Sequence, residues 1–269
     1  MPWTGRASGR GPSALNTEPV TTAFRSVTRE ARSARPEGWL KVDFHAHTAE
    51  DPKDIISYSA RELIDEAARQ GFDALSITNH DALLFDGALE RYAAARNVLL
   101  LPGVEVTASG CHIVVVNPQF IPRPRGYELR DLKILKTDAS LFIAPHPFFH
   151  LFKSLQDKLF LVLPLIDAIE FTCYHNPLFN LNKKAVRTAK DTGKPLVGNS
   201  DSHNLRQFGK TYTLVQAEKT VPAIISAVKE GRCRVQTEPL SLWMLLRIIV
   251  NFATFEKIRR LIDRKRNDQ

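Results

Sequence analysis

Short apolar runs alternate with amphipathic segments along most of the chain. Apolar runs that are typical of strands lie at residues 41–47, 74–80, 98–107, 111–116, 141–146, 168–173, 196–200 and 211–215. Segments with helical spacing of apolar residues lie between them, at 59–70, 85–96, 129–137, 155–162, 181–192 and 221–230. Ser59 and Glu62 form a capping box at the start of the first helix, and Gly71 follows its end. This alternation predicts an α/β fold with a parallel sheet or barrel over residues 39–239.

Two segments fall outside the alternation. Residues 1–38 are rich in Arg, Ser, Pro and Gly without apolar periodicity, which predicts a disordered extension or a stretch upstream of the true start. Residues 240–269 form a predicted helix with an apolar first half and a basic second half. The apolar stretch Leu240–Phe255 contains Arg247 and Asn251 and is shorter than the roughly 20 residues that span a bilayer, so no transmembrane segment is predicted.

Composition and charge narrow the class of protein. With 43% hydrophobic and 25% charged residues, the chain has the composition of a soluble globular protein. The net charge of +8 is concentrated in residues 1–38 and 247–269, so the ends are either solvated or contact nucleic acid or an anionic membrane surface. Three scattered cysteines and no secretory signal favour a reducing cytoplasm.

Histidines and carboxylates recur at the ends of the predicted strands. His45 and His47 lie two residues apart, so their side chains share one face of the first strand. The full set of candidate ligands comprises His45, His47, Asp51, His80, Glu105, His112, His146, Asp201 and His203. These ligands exceed the four that a structural zinc takes, and imidazole with carboxylate suits Zn, Mn or Fe, with Mg as a further option. The sequence therefore predicts two or three divalent metal ions at one edge of the barrel.

Six short motifs carry a family resemblance. In order they are DFHAHT, ITNHD, PGVEVT, CHIVVV, APHP and NSDSH, and together they resemble the PHP family, named for polymerase and histidinol phosphatase domains. The resemblance covers roughly residues 39–237 and implies a distorted, TIM-like (β/α)7 barrel with a trinuclear metal centre at the C-terminal ends of its strands. It also implies hydrolysis of phosphate esters.

The resemblance assigns ligands residue by residue. His45 and His47 match the opening His-x-His pair, His80 matches the histidine of the second motif, and Glu105 matches a carboxylate that bridges two metals. The remaining matches are His112, His146 and the closing pair Asp201 and His203.

The sequence departs from the family pattern in three places. The early carboxylate ligand is shifted, so Asp51 is the preferred candidate, with Glu50 and Asp54 as rivals. Asn79 stands where many members have Asp, and we expect it to support the ligands rather than to bind metal. Cys173 ends a strand near the site, and we interpret it as a small buried side chain.

The predicted reaction is attack of a metal-bound hydroxide on a small phosphomonoester or nucleotide. Asp201 would orient the water, and His203 or His80 would protonate the leaving group if that histidine is not fully committed to a metal. Arg206 is the candidate for phosphate binding because it follows the closing pair by three residues. The basic residues of the helix at 181–192 are interpreted as a solvated face.

Three alternatives remain open from the sequence. A nuclease acting on nucleic-acid ends would use the basic termini, but no basic stretch is interleaved with aromatic residues. A metal-stabilised interaction module would need no turnover. An amidohydrolase-type barrel also opens with His-x-His, but Glu105 and the closing Asp-x-His pair favour the phosphoesterase pattern.

Overall fold

The structure is a computed structural model that describes residues 35–250 except 121, 124, 125, 151, 152 and 249. Within this part, nine strands form one sheet. They are β1 Trp39–Asp43, β2 Ala74–Ile77, β3 Leu99–Ala108, β4 Cys111–Val116, β5 Leu141–Ala144, β6 Ala168–Thr172, β7 Leu196–Asn199, β8 Thr211–Gln216 and β9 Cys233–Thr237. Their order across the sheet is β7-β6-β5-β4-β3-β2-β1-β8-β9.

The helices follow the strands much as the sequence predicts. They are α1 Ala60–Arg69, α2 Gly87–Ala94, α3 Leu132–Leu135, α4 Leu159–Val162, α5 Asn182–Thr192 and α6 Val221–Lys229. The predicted capping box is present, because the Ser59 and Glu62 side chains each pair with the other's backbone N–H. The helices predicted at 129–137 and 155–162 are shorter: one 3-10 turn precedes α3, and α4 lies between two such turns.

The sheet is not wholly parallel, which corrects the simplest prediction. The pairs β1–β2, β2–β3, β5–β6 and β6–β7 are parallel, whereas β4 runs antiparallel to both of its neighbours. Only Ser109 and Gly110 separate β3 from β4, and both have positive φ, at 46° and 76°. Two such residues make the tight turn of a β-hairpin, so the chain reverses without a crossover helix.

The sheet curves into a nearly closed barrel. Gly198 of β7 lies directly against β8, where its N–H donates to the Thr213 hydroxyl at 2.9 Å and its carbonyl accepts from the same hydroxyl at 2.8 Å. A Cβ at this glycine would lie 2.9 Å from the Tyr212 carbonyl oxygen and 2.7 Å from Val235. The two ends of the sheet therefore meet through a position that only glycine fits. The predicted distorted TIM-like barrel is confirmed.

Apolar side chains cover both faces of the sheet. Along β4, Ile113 and Val115 join a core with α4 and α5, whereas Val114 and Val116 join a core with α6. All six residues of β4 are buried, which explains why this strand is apolar without alternation.

Only part of the predicted terminal segments lies in the described region. Residues 1–34 and 251–269 lie outside it, and so does most of the predicted helix at 240–269. Residues 242–248 are helical and are called the C-terminal helix below. Among the described residues, no helix combines the length and the apolar character needed to cross a membrane.

Candidate metal centre

The chain brings its histidines to one edge of the barrel by ending strands there. His45 and His47 follow β1, and His80 follows β2 and bridges to Glu105 of β3. His146 follows β5. Asp201 follows β7, and its N–H donates to the His45 carbonyl at 2.9 Å, which places it beside the opening pair.

His112 reaches the same edge from the opposite direction. It is the second residue of β4 and pairs with Thr107 near the end of β3. Because β4 is antiparallel, the start of this strand lies at the edge where the parallel strands end. The predicted strand at 111–116 already had His112 as its second residue, and the antiparallel course of β4 explains how a residue at the start of a strand joins the other candidate ligands.

Glu105 lies at the middle of the cluster. Among the described residues, five histidines have a ring nitrogen within 3.5 Å of its carboxylate oxygens. The distances are 3.0 Å for His80 and His112, 3.3 Å for His146, 3.4 Å for His47 and 3.5 Å for His45. Both oxygens are shared in this way, so the carboxylate has the placement that a bridge between two cations requires.

Asp201 is the second carboxylate that several histidines share. Its Oδ1 lies 3.4 Å from Nε2 of both His45 and His47, and 3.6 Å from Nδ1 of His203. Its backbone has φ of 42°, a left-handed conformation that costs on the order of 1–3 kcal/mol in a residue with a side chain. Hydrogen bonds from Tyr174 and Gln207 to its carbonyl, at 3.0 and 2.8 Å, hold that conformation.

The three candidates for the early carboxylate occupy different places. Asp51 lies between Nδ1 of His47 and Nδ1 of His80, at 3.0 and 2.9 Å. Asp54 lies 2.9 Å from Nε2 of His203. Glu50 accepts hydrogen bonds from the N–H of Ala60 at the start of α1 and is not part of the cluster. Asp51 and Asp54 are neighbours at the cluster, because their Oδ2 atoms lie 2.9 and 3.7 Å from the same His80 Nδ1.

Glu170 is a functional residue that the sequence analysis missed. It is fully buried in β6, accepts from the His146 N–H at 2.6 Å, and lies 3.0 Å from Nδ1 of His45. It also accepts from the Asn199 amide at 2.8 Å. A carboxylate that orients a ligating imidazole through its other nitrogen is a common feature of metal sites. The only sign of it in the sequence is a single acidic residue within the otherwise apolar run of the strand AIEFT.

The departures from the family pattern have structural roles. Asn79 accepts from the Thr48 N–H at 3.0 Å and donates to the Thr48 hydroxyl at 3.1 Å, so it fastens the loop that follows His47. Cys173 is fully buried, and burial raises the pKa of its thiol well above the ordinary value. It lies outside the groups of ligand atoms described below.

The electrostatics of the cluster follow from burial and from the paired charges. Burial opposes ionisation of Asp51, but its hydrogen bonds to His47 and His80 hold the pKa of the carboxyl well below its usual range. Burial likewise opposes the charged form of His80, but the charge of Glu105 raises the pKa of this imidazole to about 9. Burial prevails at His112, whose pKa is lowered to about 4.

The donor set fits divalent metal ions. Five groups of three side chains place their ligand atoms within 4.8 Å of one another: His45 with His47 and Glu105; His45 with His146 and Asp201; His47 with Asp51 and His80; His47 with Asp201 and His203; and His80 with Glu105 and His112. The Nε2 atoms of His45 and His47 lie 3.1 Å apart, close to the roughly 3.3 Å between two ligands of one tetrahedral zinc.

His112 supplies a further sign of a missing partner. Its Nε2 is buried and has no hydrogen-bond partner among the residues that the structure describes. A buried polar nitrogen without a partner is unfavourable unless another group satisfies it. Nδ1 of the same ring lies 3.0 Å from Glu105, so His112 has one nitrogen at the cluster and one that a further group could satisfy.

Arg206 does not belong to the cluster itself. It is exposed and lines a cavity of about 280 Å³ that His203 also lines. The other lining residues come from the loop after β7 and from the C-terminal helix: Asn204, Gln207, Ser241, Trp243, Met244, Arg247 and Ile248. The candidate for phosphate binding therefore adjoins the ligands on the side of His203.

Comparisons with known proteins agree with this architecture. A family model described as PHP-associated matches residues 180–233. No curated protein matches the sequence.

Several solved structures share the fold. One is a two-domain protein from Bacteroides vulgatus containing a predicted PHP-like metal-dependent phosphoesterase, at 21% identity and a TM-score of 0.57, with 80% of this chain and 71% of that chain covered. PsfC from Pseudomonas syringae has 18% identity and a TM-score of 0.58, with 81% and 98% covered. The lesion-specific endonuclease EndoQ from Pyrococcus furiosus has 14% identity and a TM-score of 0.51, with 73% and 57% covered.

Proposed function

We propose that this chain, whose resemblance to the PHP family is supported by the family match and the shared fold, is a metal-dependent phosphoesterase that hydrolyses a small phosphate ester. The observation that carries the proposal is the convergence of the buried histidines with Asp51, Glu105 and Asp201 at one edge of the barrel. Such a cluster exceeds the needs of a single structural ion.

The residues of the cluster have separate tasks in this proposal. Bound at these ligands, two or three divalent ions would polarise the phosphoryl oxygens and lower the pKa of a water molecule. The proposed ligands are His45, His47, Asp51, His80, Glu105, His112, His146, Asp201 and His203. Glu170 orients His45 and the His146 backbone through the hydrogen bonds described above.

If no ion is bound to its ring, His203 is the residue best placed to give a proton to the leaving group. It is the most exposed of the histidines in the cluster, with 19% of its side chain exposed, and it faces the cavity. Asp54 holds its Nε2, and the Asp201 carbonyl lies 3.0 Å from its Nδ1. Asp201, whose Oδ1 lies 3.6 Å from Nδ1 of His203, would orient the attacking water. His80 is 8% exposed and is the weaker candidate for the acid.

A phosphodiester is the alternative substrate. EndoQ, which has a similar barrel, is a lesion-specific endonuclease, and the same ligands would serve a phosphodiester as well as a monoester. The cavity beside His203 is bordered by exposed residues, which leaves room for a longer substrate.

Hydrolysis of a substrate panel tests the proposal. The panel contains p-nitrophenyl phosphate, a bis-aryl phosphodiester, nucleoside monophosphates, histidinol phosphate and a short oligonucleotide, each with Mn, Zn, Mg or no metal. We expect metal-dependent turnover that is lost in His45→Ala and in Asp201→Ala. His150→Ala is the matched control, because His150 is an exposed histidine outside the cluster.

The result can go against the proposal in a definite way. Absence of turnover on the whole panel, in protein that binds metal by elemental analysis, would exclude a general phosphatase and favour a non-catalytic module. Cleavage of the oligonucleotide alone would replace the small substrate by a nucleic acid.

A further inference from the structure

The cavity beside His203 joins the metal centre to the C-terminal helix. One wall comes from the loop after β7, with His203, Arg206 and Gln207, and the other comes from the helix, with Trp243 and Arg247. From the sequence, this helix was not predicted to be part of the site. Its position makes it part of the surface that a substrate would meet.

Buried contacts fix the start of this helix. Leu240 and Leu245 are 2% and 4% exposed and pack in one cluster with Phe149 and Tyr174. The Leu240 N–H donates to the His175 carbonyl at 2.8 Å. The helix is therefore anchored to the loops that follow β5 and β6, and its cavity-facing residues have a defined place.

The cavity carries two positive charges for which the described residues supply no ion-pair partner. Arg206 and Arg247 both line it, and neither forms an ion pair with a carboxylate in the part of the chain that the structure describes. The nearby carboxylates of Asp54 and Asp201 are already engaged with histidines. Two unpaired guanidinium groups beside a phosphate-binding centre favour a ligand with more than one anionic group.

The remaining lining suits the body of an organic molecule. Met244 and Ile248 are half-buried and apolar, and Trp243 is 84% exposed at the side of the cavity. An apolar wall between a metal centre and a cationic residue can hold the part of a substrate that links two anionic groups.

Building on the proposed function, we propose that the substrate is a phosphate ester whose leaving group carries a second anionic group, and that Arg247 binds that group. Arg206 lies three residues from His203, so it serves the phosphate at the metals. Arg247 comes from the other wall and determines specificity.

A pair of non-hydrolysable ligands tests this assignment without needing turnover. Phenylphosphonate and 4-carboxyphenylphosphonate differ only in the second anion, and their affinities for the zinc-loaded full chain are measured by isothermal titration calorimetry. We expect the carboxylated ligand to bind about 10- to 100-fold more tightly, as a charge-assisted hydrogen bond permits. Arg247→Ala should remove this preference and leave the affinity for phenylphosphonate within about twofold.

Further variants separate a specific role from a general one. Arg247→Glu should reverse the preference, and Arg206→Ala should weaken both ligands together. Arg91→Ala is the matched control, because Arg91 is an exposed arginine of α2 that does not line the cavity. Arg247 is itself exposed, so its replacement leaves the core intact.

Two results would overturn the assignment. One is equal affinity of the wild-type protein for the two ligands. The other is a preference that survives Arg247→Ala. The proposed function can fail separately: if the preference holds but no ester is hydrolysed, the cavity assignment stands and the phosphoesterase proposal falls.

Discussion

Glu105 is the residue on which the centre depends most. Its two oxygens are shared by histidines that come from four different strand ends. Glu105→Gln replaces the carboxylate by a neutral amide, so each ion that Glu105 is proposed to bridge loses a negatively charged ligand. We expect the variant to lose at least one equivalent of bound metal and at least about 100-fold in activity. Elemental analysis and the hydrolysis assay check this, with Glu66→Gln on α1 as the control.

Unchanged metal content in Glu105→Gln would contradict the bridging assignment. A loss of metal without a change in the unfolding transition of the metal-free protein would confine the effect to metal binding.

Lys41 makes the free energy of unfolding depend on pH in a way that does not involve the metal centre. Its Nζ lies 4.1 Å from the Phe72 ring centre and 4.4 Å from that of Tyr212, and burial lowers its pKa from 10.5 to about 8. Between these pH values the unfolded chain holds a proton that the folded protein lacks. The free energy of unfolding therefore gains a positive contribution as pH rises from 8 to 10.5, and the cost of charging the buried amine is complete below pH 8.

Lys41→Met should remove this pH dependence of the free energy of unfolding. The variant lacks the contribution that the wild-type protein gains between pH 8 and 10.5, so its stability relative to the wild-type protein should fall as pH rises through this range. Denaturant unfolding at several pH values measures it, with Lys183→Met, an exposed lysine of α5, as control. A constant difference between Lys41→Met and the wild-type protein across this range would refute the argument.

At the scale of residues, the sequence predicted which histidines lie together, but it did not predict all the carboxylates that orient them. His45, His47 and His80 could be found because ligand types at strand ends form an ordered pattern. Glu170 could not, because a single acid in an apolar run carries no pattern, and its purpose depends on a histidine 125 positions away. Asp54 stayed a rival of Asp51 because spacing along the chain does not tell which carboxylate lies nearer to His47 and His80, and in the structure both lie beside Nδ1 of His80.

The closure of the barrel can be tested at β7. Gly198→Ala places a Cβ 2.9 Å from the Tyr212 carbonyl oxygen, which cannot move without disturbing β8, so we expect a loss of about 1–3 kcal/mol in the free energy of unfolding. Gly87→Ala is the contrasting change. There the new Cβ meets only the end of the Arg91 side chain at 3.1 Å, in the first turn of α2.

For Gly87→Ala we expect no loss, or a gain of up to about 1 kcal/mol from the reduced entropy of the unfolded chain. Urea unfolding of both variants makes the comparison. If Gly198→Ala is as stable as Gly87→Ala, β7 does not pack against β8 as closely as the geometry indicates.

At the scale of elements, periodicity located the strands but not their directions. The run CHIVVV predicted a strand correctly, yet its antiparallel course was missed. The antiparallel direction of β4 could have been predicted from Ser109-Gly110. Two turn-forming residues between apolar runs are typical of a β-hairpin. The short helices at α3 and α4 were overestimated because apolar periodicity continues into the 3-10 turns beside them.

For the whole molecule, the sequence predicted the barrel class because alternation and ordered motifs agree. It could not predict how the barrel closes or which segment borders the site. Contact between β7 and β8 and the packing of Leu245 depend on tertiary arrangement. The domain limits at residues 38 and 239, and the cytoplasmic location, stay predictions.

Metal removal should affect the stability of the entire barrel, because the proposed ligands come from six of its nine described strands or from the loops that follow them. Ions that bind the folded chain and not the unfolded one add about 2.7 kcal/mol when present at 100 times their dissociation constant. For a domain of this size that corresponds to about 5–10 °C in the melting temperature. We expect EDTA to lower the melting temperature by about this amount and added zinc to restore it. In His47→Ala, whose replaced side chain belongs to three of the five ligand groups, the response to EDTA should be reduced. A wild-type melting temperature that is unchanged after elemental analysis shows complete metal loss would mean that the barrel assembles the centre without gaining stability from it.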